Sequence, residues 1–472
     1  MSAPPLLAAT ARADITPPVG IAHANWGAAV HQRAEAVDLP LWATALVLAQ
    51  GELRVAIVDL DLLHLPTPLA KRIRGRVSVL SGIPESCIRL SCTHTHSGPT
   101  VNSQTWVEQG IEMIGPYVEA LVDKVAGIVW QAAAALLPAR VGAARGECGV
   151  NLNRRLRLAD GRIVVGRNPD GFVDREVAVV RIDTDAGRPI AHLVNYACHP
   201  TIMAHRNRRI TPDYPGVVKR VVESALGGHC LFLQGAAGNQ ASIEDLTSDP
   251  ESYRRVGSIL GHEAAKLAWS IRTPPERWEF DTVLESGAPL GLFRRLPAPR
   301  PDQSLAALER PVSVPTRQLP PLDVLEAAFA QRREELARLR AGGGDEEAVR
   351  QATMRAKRAF HQLRLGQSTG GRESVEIPVQ AIRIGEIALL AAPIEPFAEI
   401  GVAIKRRSPF PYTLVSGYSN GMMGYLPTAA AHAEGGYEID ASPFGPGAEE
   451  AWTEGCLHLL HTLERMPGGS AA

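Results

Sequence analysis

Cys87-Ile88-Arg89-Leu90-Ser91-Cys92-Thr93-His94-Thr95-His96-Ser97-Gly98-Pro99 is the stretch whose reading decides the rest of the chain. Its first residues make a short apolar run of the kind that forms a buried strand, and Ser97-Gly98-Pro99 breaks it. On an extended backbone the alternating His94 and His96 face one side of the sheet. Two imidazoles held there can bind a metal together, or one can bind while the other moves protons. A solvated polar strand end has the same pattern, so the neighbouring segments must decide.

The same punctuation recurs along the sequence. Residues 41–49 and 53–60 read as a hairpin through Gln50-Gly51-Glu52, ending in Asp59-Leu60-Asp61. Residues 176–182 and 190–197 read as a second hairpin, which runs directly into Cys198-His199-Pro200-Thr201. Pro200 cannot continue a sheet ladder, so His199 sits where the strand stops. An apolar run at 230–233 ends in Gln234-Gly235-Ala236-Ala237-Gly238-Asn239, and another at 387–392 ends in Pro393-Ile394-Glu395-Pro396. Helical spacing marks 68–79, 116–138, 217–226 and 397–405, with Pro215 suited to a first turn. His94, His199, Asn239 and Glu395 therefore each lie just past the C-terminal end of a predicted strand, the edge at which open α/β sheets bind ligands. Two histidines, a glutamate and an oxygen donor or water suit a catalytic zinc set with an open position. Spacing alone leaves their convergence open.

Composition sets the limits. The 472 residues are 45% apolar and 21% charged with a formal net charge of -1, which is ordinary for a globular protein and gives no nucleic-acid footprint. Six scattered cysteines without a C-x-x-C pair read as reduced, buried thiols. Residues 1–7 lack a basic leader and no stretch is long enough to span a bilayer, so a cytoplasmic protein without membrane insertion is expected. Residues 290–321 are rich in Pro and Arg. Two charged helices follow, 321–341 and 345–366, separated by Gly342-Gly343-Gly344, and read as a helical hairpin insertion that serves as a lid, an oligomer contact or neither. With no repeat and no clean linker, residues 1–472 are read as a single domain. Gly261-His262-Glu263 opens like a zinc-protease helix, but Lys266 stands where the second histidine belongs, so an ordinary helix is expected. Asp59 or Asp61 either orients an imidazole from behind or solvates a strand end.

Several motifs then line up in order: Ala13-Asp14-Ile15-Thr16-Pro17-Pro18-Val19-Gly20, Thr93-His94-Thr95-His96-Ser97-Gly98-Pro99, Asn153-Arg154, Asn195-Tyr196-Ala197-Cys198-His199-Pro200-Thr201, Asp213-Tyr214-Pro215-Gly216 and Gly436-Tyr437-Glu438. Together they resemble the neutral ceramidase family. The resemblance implies an α/β fold of mixed β-sheets flanked by helices, with a zinc ion held by His94, His199, Glu395 and Tyr437. It places His96 and Arg154 beside the substrate, with Ser97 and Asn239 as further substrate contacts. The chain departs from the family where a catalytic serine is expected in Gly-Asp-Val-Ser-Pro-Asn. Here Gly238-Asn239-Gln240-Ala241-Ser242 puts Ala241 at that position, and Ser242 reaches it only by a register shift. The family's C-terminal immunoglobulin-like domain is not expected after Tyr437, nor is a lipid-docking helix.

The function implied is a zinc-dependent hydrolase of an amide-type C–N bond in a small polar substrate, using metal-activated water. His96 would relay protons, and Arg154 or Tyr437 would steady the oxyanion. A metal-dependent esterase, lactonase or ring-opening hydrolase is the alternative within enzymes, and a non-catalytic metal-binding scaffold the alternative outside them. A small molecule is the expected partner, and a homo-oligomer is compatible.

Overall fold

A computed structural model describes residues 4–23, 25–102, 106–299 and 301–472. The first three residues of the stretch used for the leader reading, and Arg300 of the Pro- and Arg-rich segment, lie outside them. The protein is built on two mixed sheets. The larger has eight strands in the order His229–Gln234, Pro189–Tyr196, Glu176–Thr184, Leu137–Glu147, Leu7–Asp14, Trp42–Gln50, Leu53–Leu60, Ile88–Cys92. The smaller has five, in the order Tyr412–Ser416, Ile387–Ala391, Ser374–Ile384, Leu305–Pro315, Ser470–Ala471.

Most ladders are antiparallel, but three strand–helix–strand units are parallel and these carry the functional edge. Leu53–Leu60 and Ile88–Cys92 pair across the helix Thr67–Ser81. Pro189–Tyr196 and His229–Gln234 pair across Tyr214–Leu226. Ile387–Ala391 and Tyr412–Ser416 pair across Ala398–Arg407. Parallel pairs need such crossovers, and covering helices leave their strands apolar on both faces. The sequence agrees: Ile88–Cys92 and Ile387–Ala391 are buried at every position. Asp213 accepts a hydrogen bond from the Tyr214 amide, and Pro215 falls in the first turn of its helix as expected.

The two ends of the large sheet curl towards each other. Gln234, closing one edge strand, donates through Nε2 to the carbonyls of Thr93 (3.3 Å) and Cys198 (2.7 Å). One buried amide thus ties both histidine-bearing turns to a common point. Arg89, wholly buried, crosses to the second sheet and donates to Gln380 Oε1 and the Leu389 carbonyl. It stitches the two sheets behind the site.

The charged segments at 321–366 are helices, Leu322–Ala341 and Glu346–Thr369, packed against each other. Aromatic contacts of Trp106 with Phe329 and Phe360 dock them on the body. Elsewhere the structure differs from the expectation. The Pro- and Arg-rich 290–321 contributes two strands, Leu290–Pro297 and Leu305–Pro315. The C-terminal segment, for which periodicity marked no element, contains the helix Ala448–Arg465. Its apolar face (Trp452, Cys456, Leu459, Leu460, Leu463) covers the smaller sheet. Among the described residues no helix is long and apolar enough to cross a membrane.

Candidate metal centre and active site

Each parallel unit delivers its site residue from a strand end. The strand containing Leu90 stops at Cys92, and His94 takes a positive φ of 70°. That region is uncommon for a residue with a side chain, and its cost is tolerated where surrounding structure over-determines it. Here the His94 amide donates to the Leu62 carbonyl and the Thr93 amide to Leu60. The alternation expected for His94 and His96 is therefore not what aligns them. A left-handed turn swings the chain out of the sheet, and the two rings meet edge to face with centroids 4.9 Å apart.

His199 follows Pro189–Tyr196 and is bonded through its amide to the Gln240 carbonyl. Glu395 follows Ile387–Ala391 and pairs with Tyr425 in a two-residue ladder. The three ends converge. His94 Nε2 lies 3.1 Å from His199 Nε2 and 3.6 Å from Glu395 Oε2, and His199 Nε2 lies 3.2 Å from the same oxygen. All three side chains are buried. A backbone carbonyl fixes each imidazole from behind: Leu63 accepts from His94 Nδ1 at 2.7 Å and Ala237 from His199 Nδ1 at 2.7 Å. That tautomer leaves the Nε2 lone pairs pointing at each other and at the carboxylate. Burial drives both imidazoles well below the ordinary histidine range, so they are neutral donors.

A buried cluster of three acceptors is unfavourable without a cation. Glu395 Oε2 has no hydrogen-bond partner, which is the orphan such a cation would satisfy. Tetrahedral ligands at zinc-type bond lengths of ~2.0–2.1 Å stand roughly 3.3 Å apart, close to the three separations here. The donors fit a small divalent ion. His94, His96 and His199 also form a group whose ligand atoms lie within 4.8 Å of one another.

His96 is held differently. Its Nδ1 bonds the Asn25 carbonyl at 3.1 Å, Trp26 packs on its ring at 4.9 Å, and its Nε2 is buried without a partner. Burial lowers its pKa to about 4. Arg154, also buried, donates Nε to Glu438 (2.9 Å) and Nη2 to the Tyr425 hydroxyl (3.1 Å). Glu438 takes a second bond from Arg155, so one carboxylate clamps two arginines and seats the short helix Tyr437–Asp440. Tyr437 is 48% exposed and touches Tyr425 ring edge to face at 5.7 Å. It lines the mouth of the site.

Two residues assigned to substrate have other occupations. The Asn239 side chain accepts from the Ala398 amide and donates to Glu399, capping the helix after Glu395. Ser97 is buried, with its backbone bonded to Thr95 Oγ1 and Thr211. Ala241 makes an isolated bridge to His199, while Ser242 accepts from the Glu244 amide in its own turn. Strand alternation sends Ser242 to the face opposite Ala241. Asp59 and Asp61 bind Lys219 rather than an imidazole.

Three residues were not singled out from sequence. Tyr418 stacks on His94 at 4.1 Å with its buried hydroxyl directed at Glu395. Tyr425 lies parallel to the His199 ring at 6.4 Å, and Gln234 anchors both turns. Gln234 closes the apolar run at 230–233 and Tyr418 follows the strand Tyr412–Ser416, so both lay at strand ends, whereas Tyr425 had no such signal. Gly238 marks the closest seam: its amide donates to the Pro396 carbonyl, and a Cβ there would stand 2.6 Å from the Glu395 carbonyl.

Comparison with known proteins places this geometry. Residues 7–240 match the N-terminal region of the neutral/alkaline non-lysosomal ceramidases. A neutral ceramidase of Pseudomonas aeruginosa is 24% identical over 98% of this chain and 72% of its own length. A neutral ceramidase of Oryza sativa is 24% identical over 55% of this chain, a match spanning 34% of the rice protein. The crystal structure of the Pseudomonas aeruginosa enzyme superposes with a TM-score of 0.70 at 20% identity, covering 99% of this chain and 76% of that one. The shared fold, the ordered motifs and the matched N-terminal half lead to one assignment: the chain belongs to the neutral ceramidase family, whose members are hydrolases of an amide C–N bond.

Proposed function

We propose that this protein is a zinc-dependent amidohydrolase for a small polar substrate, with water rather than a serine as nucleophile. The observation that carries the reading is the His94–His199–Glu395 triangle with its partnerless Glu395 oxygen, set beside Ala241 where the family's serine is expected. His94, His199 and Glu395 hold the ion, with Tyr437 as the fourth donor from the mouth. Zinc, when bound, supplies Lewis-acid polarisation of a carbonyl and acidifies water.

The chain's own groups divide the remaining work. His96 is neutral, with a free Nε2 facing the histidine pair, and takes a proton there before returning it to the leaving nitrogen. Arg154 is charged and locked between Tyr425 and Glu438, so it presents fixed positive potential to developing oxyanion charge without reorganising. Trp26 over His96 excludes water from that side. The six cysteines are free and buried, which supports action in a reducing cytoplasm.

Metal analysis of the purified protein, with turnover on a panel of N-acyl amides, esters and lactones, tests this. About one zinc per chain is expected, lost in His94→Ala/His199→Ala, with amide cleavage abolished by chelation and restored by zinc. His96→Ala should keep the metal and lose rate by on the order of 10²–10⁴. Full metal occupancy in the double variant sinks the site. Bound metal without turnover on any of the panel leaves a scaffold, and preference for esters reassigns the bond.

A further inference from the structure

The hairpin formed by Glu276–Leu284 and Leu290–Pro297 stands away from both sheets. Among the described residues its strands pair only with each other, and nearly every position on them is exposed. An isolated two-stranded ribbon is marginal in water and needs further packing. This one is also unusually apolar. Trp278 is 62% exposed, Phe293 57% and Phe280 53%, and Val283, Leu284, Leu290 and Leu292 are each exposed.

The ladder register sorts these side chains. Phe280 faces Phe293, with the rings 5.7 Å apart, and Trp278 lies under Arg295 on the same face. Leu284, Leu290 and Leu292 occupy the opposite face. Both faces and both edges of the arm are therefore open.

We propose that this arm is the surface through which two copies of the chain pair. Three observations select that occupant. The seven large apolar side chains expose roughly 700 Å², taking ~150–250 Å² for a whole aromatic. About 450 Å² of this (Trp278, Phe280, Val283 and Phe293) lies on the aromatic face. Two copies joined through that face bury about 900 Å² in all, the size of a weak, concentration-dependent pairing. A monomer seldom leaves so large a patch open. Charge argues against an anionic surface: residues 276–297 hold three arginines against four carboxylates, and Arg294–Glu279 (2.8 Å), Arg277–Glu279 (3.5 Å) and Arg295–Glu276 (3.6 Å) neutralise one another within the hairpin. Glu285 also stands in the tip between Leu284 and Leu290, where entry into a lipid layer would bury its charge. An identical arm meets none of these objections. Its aromatic face packs on its own copy about a two-fold axis, which closes the assembly at two.

Light scattering over a dilution series, up to ~50 µM to capture a micromolar association, tests the proposal. The wild-type mass should approach twice the 50.6 kDa of one chain and fall on dilution, while Trp278→Glu/Phe293→Glu stays at 50.6 kDa with an unchanged melting temperature. Should the double variant melt early, hydrogen exchange on the unmodified protein decides: amides of 276–297 must exchange at least about tenfold more slowly in the concentrated sample. A wild type that stays at 50.6 kDa, a doubled mass that survives both substitutions, or arm exchange indifferent to concentration overturns the pairing. Flotation of monomeric wild type, but not of the variant, with phosphatidylcholine vesicles gives the arm to a lipid surface instead.

Discussion

Two buried polar clusters, one within the large sheet and one between the two sheets, solve the same electrostatic problem in opposite ways. Asp59 and Asp61, at the end of Leu53–Leu60, both bind Lys219, at 2.8 and 2.7 Å. All three are buried, and one ammonium cannot neutralise two carboxylates, so burial pushes Asp59 up to about 7. That cluster carries its own cation, and the excess negative charge raises the proton affinity of Asp59. The triangle of His94, His199 and Glu395 holds only acceptors, with burial keeping the imidazoles neutral. It needs a cation from outside. Burial of charge alone therefore does not mark a functional site. What marks one is a set of converging lone pairs with no internal cation.

The contrast can be attacked from both sides. The largest effect is expected at Lys219→Met, which strands two buried carboxylates and should cost about 3–5 kcal/mol, read from the urea midpoint. Metal content should survive in the folded fraction. If the variant loses metal while keeping its stability, the two clusters are one system and the distinction fails.

A smaller effect should follow acidification. His23, His96 and His192 have pKa values lowered to about 4 by burial, against about 6.5 in the unfolded chain. Between those values the unfolded state binds more protons, so stability is intact above pH 6.5 and is lost as pH falls towards 4. Each group contributes a slope of up to ~1.4 kcal/mol per pH unit. Asp59 and Asp213, raised to about 7, and Asp245, raised to about 6, act with the opposite sign over the same range. The histidine part is therefore read from the difference between wild type and His192→Gln in the change of melting temperature from pH 7 to pH 5. No difference would mean that His192 is already charged in the fold. Adding zinc should raise the melting temperature at pH 7 far more than at pH 5, because the ligands must be unprotonated.

The smallest effect is expected at Gln234→Leu, which removes the bonds to Thr93 and Cys198 but fills the space. A loss of ~1–3 kcal/mol should appear, together with about tenfold weaker metal binding. Equal stability with unchanged affinity would show that the two turns are held by their own backbone alone.

Much of this arrangement was legible from sequence because apolar runs ending in Pro, Gly or Asx punctuation locate strand ends well. His94, His199 and Glu395 all stand where that pattern puts them, past strands ending at Cys92, Tyr196 and Ala391. The reason His94 and His96 meet was not legible. A positive φ at His94 replaces the alternation that the spelling suggests, and only the contacts around Leu60 and Leu62 impose it. Tyr425 lies in a two-residue strand, too short to have a period. Leu7–Asp14 and Leu305–Pro315 were hidden by Ala, Arg and Pro, whose weak strand preference is overridden by burial between neighbours. Asn239 shows a related ambiguity: it bonds the first turn of the next helix here, and a polar residue at a strand end looks the same in sequence whether it faces a ligand or caps a helix.

The seam at Gly238 has a consequence for how the centre responds to the rest of the molecule. His94 and His199 hang from one sheet and Glu395 from the other, and at Gly238 the two backbones approach so closely that a Cβ would stand 2.6 Å from the Glu395 carbonyl. An ion held by this triangle would therefore act as a caliper. Whatever spreads the sheets by a few tenths of an ångström lengthens one side of the triangle and leaves the side between the histidines untouched. Occupancy of the centre then reports the closure of the whole body, and a distant change in packing is legible there as a change in affinity.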